Sequence, residues 1–233
     1  MSSGNIYRDG TYLERHPGWH QEDSSWKAKQ ILKILRKNSV APSTLCEIGC
    51  GAGEILNCLS HEYGDEVVFS GYEISPQAFA ICKNKEKKNL HFFLQNLLDI
   101  EDPAFDVLLA IDVFEHVEDY FGFLRELRKK AKYKLFHIPL DLSVQSVSRL
   151  SPILRSRSSV GHIHYFIKET ALATLQDTGY DVVDYCYTNS SLELSNRGWK
   201  ADLMKVPRKL FFKVHPDLAV RVLGGFSLLV LAK

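Results

Sequence analysis

Short apolar runs at residues 44–48, 67–73, 90–94, 105–111 and 133–139 alternate with stretches at 53–62, 76–87 and 118–130 whose apolar positions recur at helical spacing. Runs of that length read as strands buried on both faces. Strands separated by helical segments of ten or more residues predict a parallel sheet with helices on both faces. Ahead of the first strand, Asp23-Ser24-Ser25 offers cap chemistry for a helix of roughly Trp26 to Lys37, with Ile31, Ile34 and Leu35 on its apolar face. After Pro139 the regularity lapses. Residues 141–163, rich in Ser and Arg with Pro152 and Gly161, read as a mobile segment over the sheet edge. A helix of about 168–178 follows, closed by Gly179. Strands at 180–187 and 226–232 bring the count to seven, with helical pieces near 201–213 and 216–223 between them.

Composition narrows this only a little. A chain of 233 residues buries a full core and favours one domain with decorations. With 45% hydrophobic and 24% charged residues it is globular in class, and a net charge of +1 supplies no global attraction to nucleic acid. Residues 1–30 are polar and aromatic, and the longest apolar run, Phe226 to Ala232, has the length of a strand. No signal peptide and no membrane span are therefore expected, and a cytoplasmic location follows. The five cysteines (Cys46, Cys50, Cys58, Cys82 and Cys186) are an odd set, and two of them fall on the first strand and its turn. They read as reduced thiols, and no metal site is expected.

The chemistry is concentrated at Leu45 to Gly53, Leu-Cys-Glu-Ile-Gly-Cys-Gly-Ala-Gly. Alternate glycines let a backbone turn tightly and approach a ligand without a Cβ in the way. A dinucleotide fingerprint needs G-x-G-x-x-G, and here the third slot is Glu54, which repels a pyrophosphate at a helix N-terminus. Glu47, at the strand end, suits a ligand carrying an ammonium group. Glu73 ends the next strand twenty residues after Gly53, where a carboxylate can accept from both ribose hydroxyls. The ligand implied is S-adenosylmethionine, which carries an ammonium, a sulfonium and no phosphate.

With these residues in hand, the segment 40–188 resembles the class I S-adenosylmethionine-dependent methyltransferases of small-molecule type. The resemblance implies a Rossmann-like three-layer α/β sandwich, with a seven-stranded, mostly parallel sheet and an antiparallel last strand. It assigns residues 1–40 to an N-terminal lid or helical segment and 41–233 to the methyltransferase domain, with insertions at 141–163 and 189–225. The cofactor would lie on Glu47, Gly49, Cys50, Gly51 and Gly53, with Glu73 on the ribose and Ile74 against the adenine. Asn96, where the family often has Asp, and Leu97 would complete the adenine end. The stretch Phe105 to Val117 matches the fourth-strand motif, so Asp112 and Val113 would line the methionine end and His116 the reaction centre.

Methyl transfer is an in-line displacement, and an alcohol nucleophile benefits from a general base. His116, His162 and His164 are the candidates, with Asp141 behind them. His162 and His164 would share one face of a strand, but an i, i+2 pair without a third ligand is a weak metal signal. The aromatic start (Tyr7, Tyr12, His16, Trp19, His20, Trp26) reads either as a lid over the cofactor or as packing for the first helix. Arg149, Arg155 and Arg157 would suit an anionic, sugar-like acceptor. The basic stretch 197–213 reads as a helix with its apolar face on the core, or else as an amphipathic helix on an anionic membrane. The expectation is S-adenosylmethionine-dependent methylation of a small-molecule acceptor, preferably on oxygen of a sugar or related metabolite. N-methylation and a non-catalytic S-adenosylmethionine-binding role are the alternatives.

Overall fold

In the computed structural model, residues 18–19, 21–101, 104–189, 193 and 198–233 are described, with the side chains of the last stretch described from 205 onward. Seven strands among them form one sheet: β1 (Thr44–Ile48), β2 (Val68–Glu73), β3 (Leu90–Leu94), β4 (Phe105–Ile111), β5 (Ala131–Leu140), β6 (Val182–Thr188) and β7 (Phe226–Ala232). Their order is β3-β2-β1-β4-β5-β7-β6. β1 to β5 pair in parallel, and β7 runs antiparallel between β5 and β6, so the expected architecture is present.

Alternation along each strand feeds two cores. Val107, Leu109 and Ile111 of β4 face one layer, while Leu108 and Ala110 face the other. The first layer contains α1 (Ser24–Lys37) and α2 (Glu54–Tyr63), whose Ile31, Leu35, Leu56 and Leu59 pack on Phe69 and Leu135. α3 (Pro76–Cys82) contributes Cys82 to the same layer. Opposite them, α4 (Tyr120–Leu127) contributes Leu124 and Leu127 against Phe114, Phe136 and Tyr180. Each such side chain contributes about 1.5–3 kcal/mol by leaving water. This burial on both faces is what makes the strand runs nearly continuous in hydrophobicity.

Residues 141–163 depart from expectation. They form α5 (Val144–Arg149), α6 (Ser151–Arg155) and a π-helical turn, Ser156–Val160. The reason is local. The Ser143 hydroxyl accepts from Ser146 N at 3.0 Å, and Ser146 Oγ accepts from Ser143 N at 2.8 Å, a reciprocal cap. Pro152 then sits in the first turn of α6, where its missing N–H costs nothing. α7 (Lys168–Asp177) follows as expected, and α8 (Gly198–Val214) and α9 (Pro216–Leu223) precede β7. α8 docks through Phe212, stacked on Phe226 at 5.1 Å, but Val206, Leu210 and Val214 stay exposed. Its apolar residues are thus divided between core and solvent. Among the described residues no helix is long and apolar enough to cross a membrane.

One close approach underlies the position of the glycine turn. A Cβ on Gly71 of β2 would lie 2.5 Å from Phe92 Cδ1 and 2.9 Å from Cys50 Sγ, and Phe92 is itself buried. Gly71→Ala is expected to destabilise by about 1–3 kcal/mol through overpacking. That should lower the calorimetric melting temperature by roughly 2–4 °C per kcal/mol. An unchanged transition would show that Phe92 turns aside freely.

Candidate functional site

β1 pairs with β2 on one side and with β4 on the other, so the chain winds outward in both directions from this pair. Such a switch point opens a crevice beyond the carboxyl ends of the strands. A cleft of about 580 Å³ lies there, walled by the turn after β1, the end of β2, the segment after β4 and the start of α1. The turn is held by glycines in left-handed conformation. Gly53 (φ 74°) shows the need most plainly, because a Cβ there would meet Phe92 Cζ at 2.5 Å.

Glu73 fixes the turn to the end of β2. Its Oε2 accepts from Gly51 N at 2.8 Å, and its Oε1 accepts from Ile74 N and Ser75 N, each at 2.8 Å. Burial raises its pKa above the ordinary glutamate value, against the pull of these three donors. Glu47 is treated differently. It is 2% exposed and its Oε2 has no hydrogen-bond partner among the described residues. Burial pushes its carboxyl well up, and the nearby Lys27 only partly opposes this.

Asp112 is the third buried-edge carboxylate and lies in a left-handed conformation (φ 54°). Its Oδ1 accepts from His137 Nδ1 at 2.6 Å, and its Oδ2 is 2.9 Å from Lys27 Nζ. Lys27 also reaches Asp23 at 3.1 Å, and His137 Nε2 meets the Thr188 hydroxyl at 2.8 Å. Burial opposes ionisation of Asp112, but the attraction of His137 and then Lys27 overrides it and holds the carboxyl well below the usual range. Burial likewise disfavours the Lys27 cation, yet Asp112 and Asp23 raise its pKa above normal. Sequence reasoning missed Lys27, His137 and Thr188. A lysine one helical turn after Asp23 was the available signal.

Gly49, Cys50, Gly51, Ile74 and Val113 line the cleft as the motif implies. Gly53 shapes the turn from behind. A second cavity of about 650 Å³ shares Gly49, Ile74 and Val113 as a common wall and adds Asn96 and Leu97. Asn96 accepts from Leu98 N at 3.2 Å, so it caps its own turn while facing this cavity. Trp19 lies over the turn, its Cε3 3.7 Å from where a Gly51 Cβ would be. Tyr7, Tyr12, His16 and His20 lie outside the described residues. Trp26 belongs to α1 and donates to Glu193 Oε2 at 2.6 Å.

The three histidines separate. His116 lines the cleft, and its ring centroid is 4.9 Å from that of His162. Burial, aided by His162, lowers the His116 pKa to about 4. His162 is held by Asp141 Oδ2 at 2.6 Å and by Ser156 Oγ at 2.7 Å, both at Nδ1. His164 does not join them: its Nε2 bonds Val117 O at 2.9 Å and its ring packs on Tyr120 at 4.3 Å. The expected pairing of His162 with His164 on one face is replaced by His162 with His116, because residues 161–167 form no strand. Arg149, Arg155 and Arg157 are exposed, and none lines the cleft.

Comparison with known proteins adds a family to this geometry. Residues 19–185 match the family model described as a methyltransferase domain. Norajmaline N-methyltransferase of Rauvolfia serpentina is 29% identical over 113 residues, 45% of this chain and 38% of that protein. Ajmaline N-methyltransferase of the same plant is 30% identical over 115 residues, 44% of this chain and again 38% of its own length. The matched stretch thus spans well under half of these relatives. Among solved structures, a SAM-dependent methyltransferase from Archaeoglobus fulgidus superposes with a TM-score of 0.58 at 18% identity, covering 88% of this chain and 94% of that one. The N-methyltransferase NodS of Bradyrhizobium japonicum, in complex with S-adenosyl-L-homocysteine, gives 0.54 at 16%, covering 88% and 84%. The residues present fit the cofactor: a buried carboxylate oxygen without a partner among the described residues, Glu47 Oε2, lies at a cleft whose described lining holds no lysine or arginine besides the already paired Lys27. The chain belongs to the family described as the methyltransferase domain.

Proposed function

We propose that the chain methylates a small acceptor that binds as a cation, an amine in the first instance. The observation that carries this is the charge left over in the cleft. Among its described lining residues are six carboxylates, Glu47, Glu54, Glu73, Asp112, Glu118 and Asp119, and a single lysine, Lys27. Asp112 is paired with Lys27, and Glu54 with Lys85 at 2.9 Å. In this reading Glu47 faces the cofactor's ammonium and Glu73 its ribose. Glu118 and Asp119, both exposed at the mouth, are then the charges available to an acceptor.

An anionic, sugar-like acceptor, the preference from sequence, loses its support because the three arginines lie away from the cleft. The likeness to norajmaline and ajmaline N-methyltransferases favours nitrogen, though over less than half of their length. S-adenosylmethionine, when bound, supplies a methyl group on a sulfonium that a lone pair can displace. What this chain's residues do is bind and align. The mouth carboxylates draw in the ammonium form, which gives up its proton to solvent at the open mouth before the lone pair of the neutral amine attacks the methyl group. A free amine needs no base of its own, so none of the histidines is required as proton acceptor.

A panel of amines and of matched alcohols and sugars, assayed for methyl transfer, tests the acceptor class. Turnover of amines and not of the alcohols is expected, and the reverse would overturn the assignment. Glu118→Gln should raise the KM of a cationic acceptor up to about fivefold, the worth of an exposed ion pair, and leave cofactor affinity unchanged.

Glu47 yields a second expectation. Burial raises its pKa in the free protein, and a cation beside it lowers that pKa again, so cofactor binding should expel a proton. Affinity for S-adenosylmethionine should therefore rise with pH above the ordinary glutamate value, until the free-protein carboxyl is itself ionised. Calorimetry in buffers of different ionisation enthalpy reads the released proton. Glu47→Gln should abolish the release and weaken binding roughly tenfold to a hundredfold, the loss of a charge-assisted hydrogen bond.

A further inference from the structure

Behind the cleft wall lies a cluster that amine transfer does not use. Glu115, His116 and His162 each present one ligand atom, and these atoms all lie within 4.8 Å of one another. Glu115 is fully buried, and neither of its carboxylate oxygens has a hydrogen-bond partner among the described residues. Its Oε1 is 3.8 Å from His116 Nε2. A buried carboxyl with both oxygens unpartnered is costly, and a cation or a full set of donors is the usual remedy.

The two rings are already set for such a cation. Asp141 Oδ2 lies 2.6 Å from His162 Nδ1, and Gly161 O lies 3.1 Å from His116 Nδ1. A carboxylate and a carbonyl can only accept, so both Nδ1 atoms carry the proton, and Nε2 of each ring is the lone-pair nitrogen. Metal-bound histidines are typically oriented in just this way, by a carboxylate or a backbone carbonyl on the far nitrogen. The backbone brings the two segments together as well: Ile163 N and His164 N both donate to Glu115 O, at 3.0 and 3.1 Å.

We propose that Glu115, His116 and His162 form a binding site for one divalent transition-metal ion of the zinc class, with Asp141 and the Gly161 carbonyl as its outer support. Two imidazoles and a carboxylate are the donor set that zinc and its neighbours take, and three protein ligands leave a coordination position open. Metal–ligand bonds of about 2.0–2.1 Å set ligand separations near 3.4 Å in a tetrahedron, so the three groups close by roughly an ångström on binding. His116 is the ligand that also lines the cleft, and through it the ion would tie residues 161–164 to the wall of the site. The ion's place does not depend on which acceptor is methylated.

The test uses the full-length protein stripped with chelator and titrated with Co²⁺, read by visible d–d absorption, and with Zn²⁺, read by competition against a chromophoric chelator. One ion per chain with tetrahedral-type cobalt bands is expected. Glu115→Gln and His162→Ala should each weaken binding at least a hundredfold, and Asp141→Asn tenfold to a hundredfold, the usual effect of losing an outer partner. His91→Ala, an exposed histidine on β3, should change nothing. Retained S-adenosylmethionine binding by calorimetry certifies each variant as folded, and should Glu115→Gln fail that check, His162→Ala decides the matter. Absence of stoichiometric uptake by the wild type, or uptake that survives loss of His162, overturns the site. Neither result bears on amine transfer, which the acceptor panel decides separately.

Discussion

Three carboxylates are buried, or nearly so, along the carboxyl edge of three neighbouring strands, and the surrounding structure is arranged to tolerate them. Burying a charge is costly unless something answers it. Glu73 is answered by backbone amides, which converts the cost into a fixed shape for the glycine turn. Asp112 is answered by Lys27 and His137, which ties the first helix to the centre of the sheet and, through Thr188, to its far edge. Glu47 has one oxygen that no described residue answers. The first two solutions make the scaffold rigid, and the third reserves an attraction for a ligand.

The same division explains why the proposed acceptor end looks different from the proposed cofactor end. Around the turn, contacts are short and made largely by backbone, so they depend little on side-chain identity. At the mouth, Glu118 and Asp119 stand in solvent, where identity matters and geometry is loose. A scaffold of this kind keeps one cofactor while its acceptor varies, which is the usual relation between fold and function.

Much of the fold was legible because its signals are local. The runs at 44–48, 105–111 and 226–232 coincide with β1, β4 and β7, since a strand buried on both faces leaves no polar alternation to blur its ends, and the run at 90–94 coincides with β3, an edge strand that keeps His91, Phe93 and Leu94 exposed. Boundaries slipped where caps decide them: α3 stops at Cys82 and passes into a short 3₁₀ turn, and α4 is flanked by turns at both ends. The turns and acids of the candidate site were legible as single-segment motifs, and the structure gathers them around one cleft. His116 and His162, 46 positions apart, were named singly, yet their partnership was not, because it depends on how 161–164 lies on Glu115. Lys27 was invisible as a site residue, since its partner Asp112 is supplied by another layer.

The placement of β7 has a consequence for how the chain is made. Among the described residues β6 pairs only with β7, and β5 has β7 as its second neighbour. During synthesis, therefore, β5 presents an open edge and β6 has no ladder to join until residues 226–232 have left the ribosome. The half of the sheet that carries the glycine turn can form first, so a nascent chain should hold a nearly complete cofactor crevice beside a raw, association-prone flank.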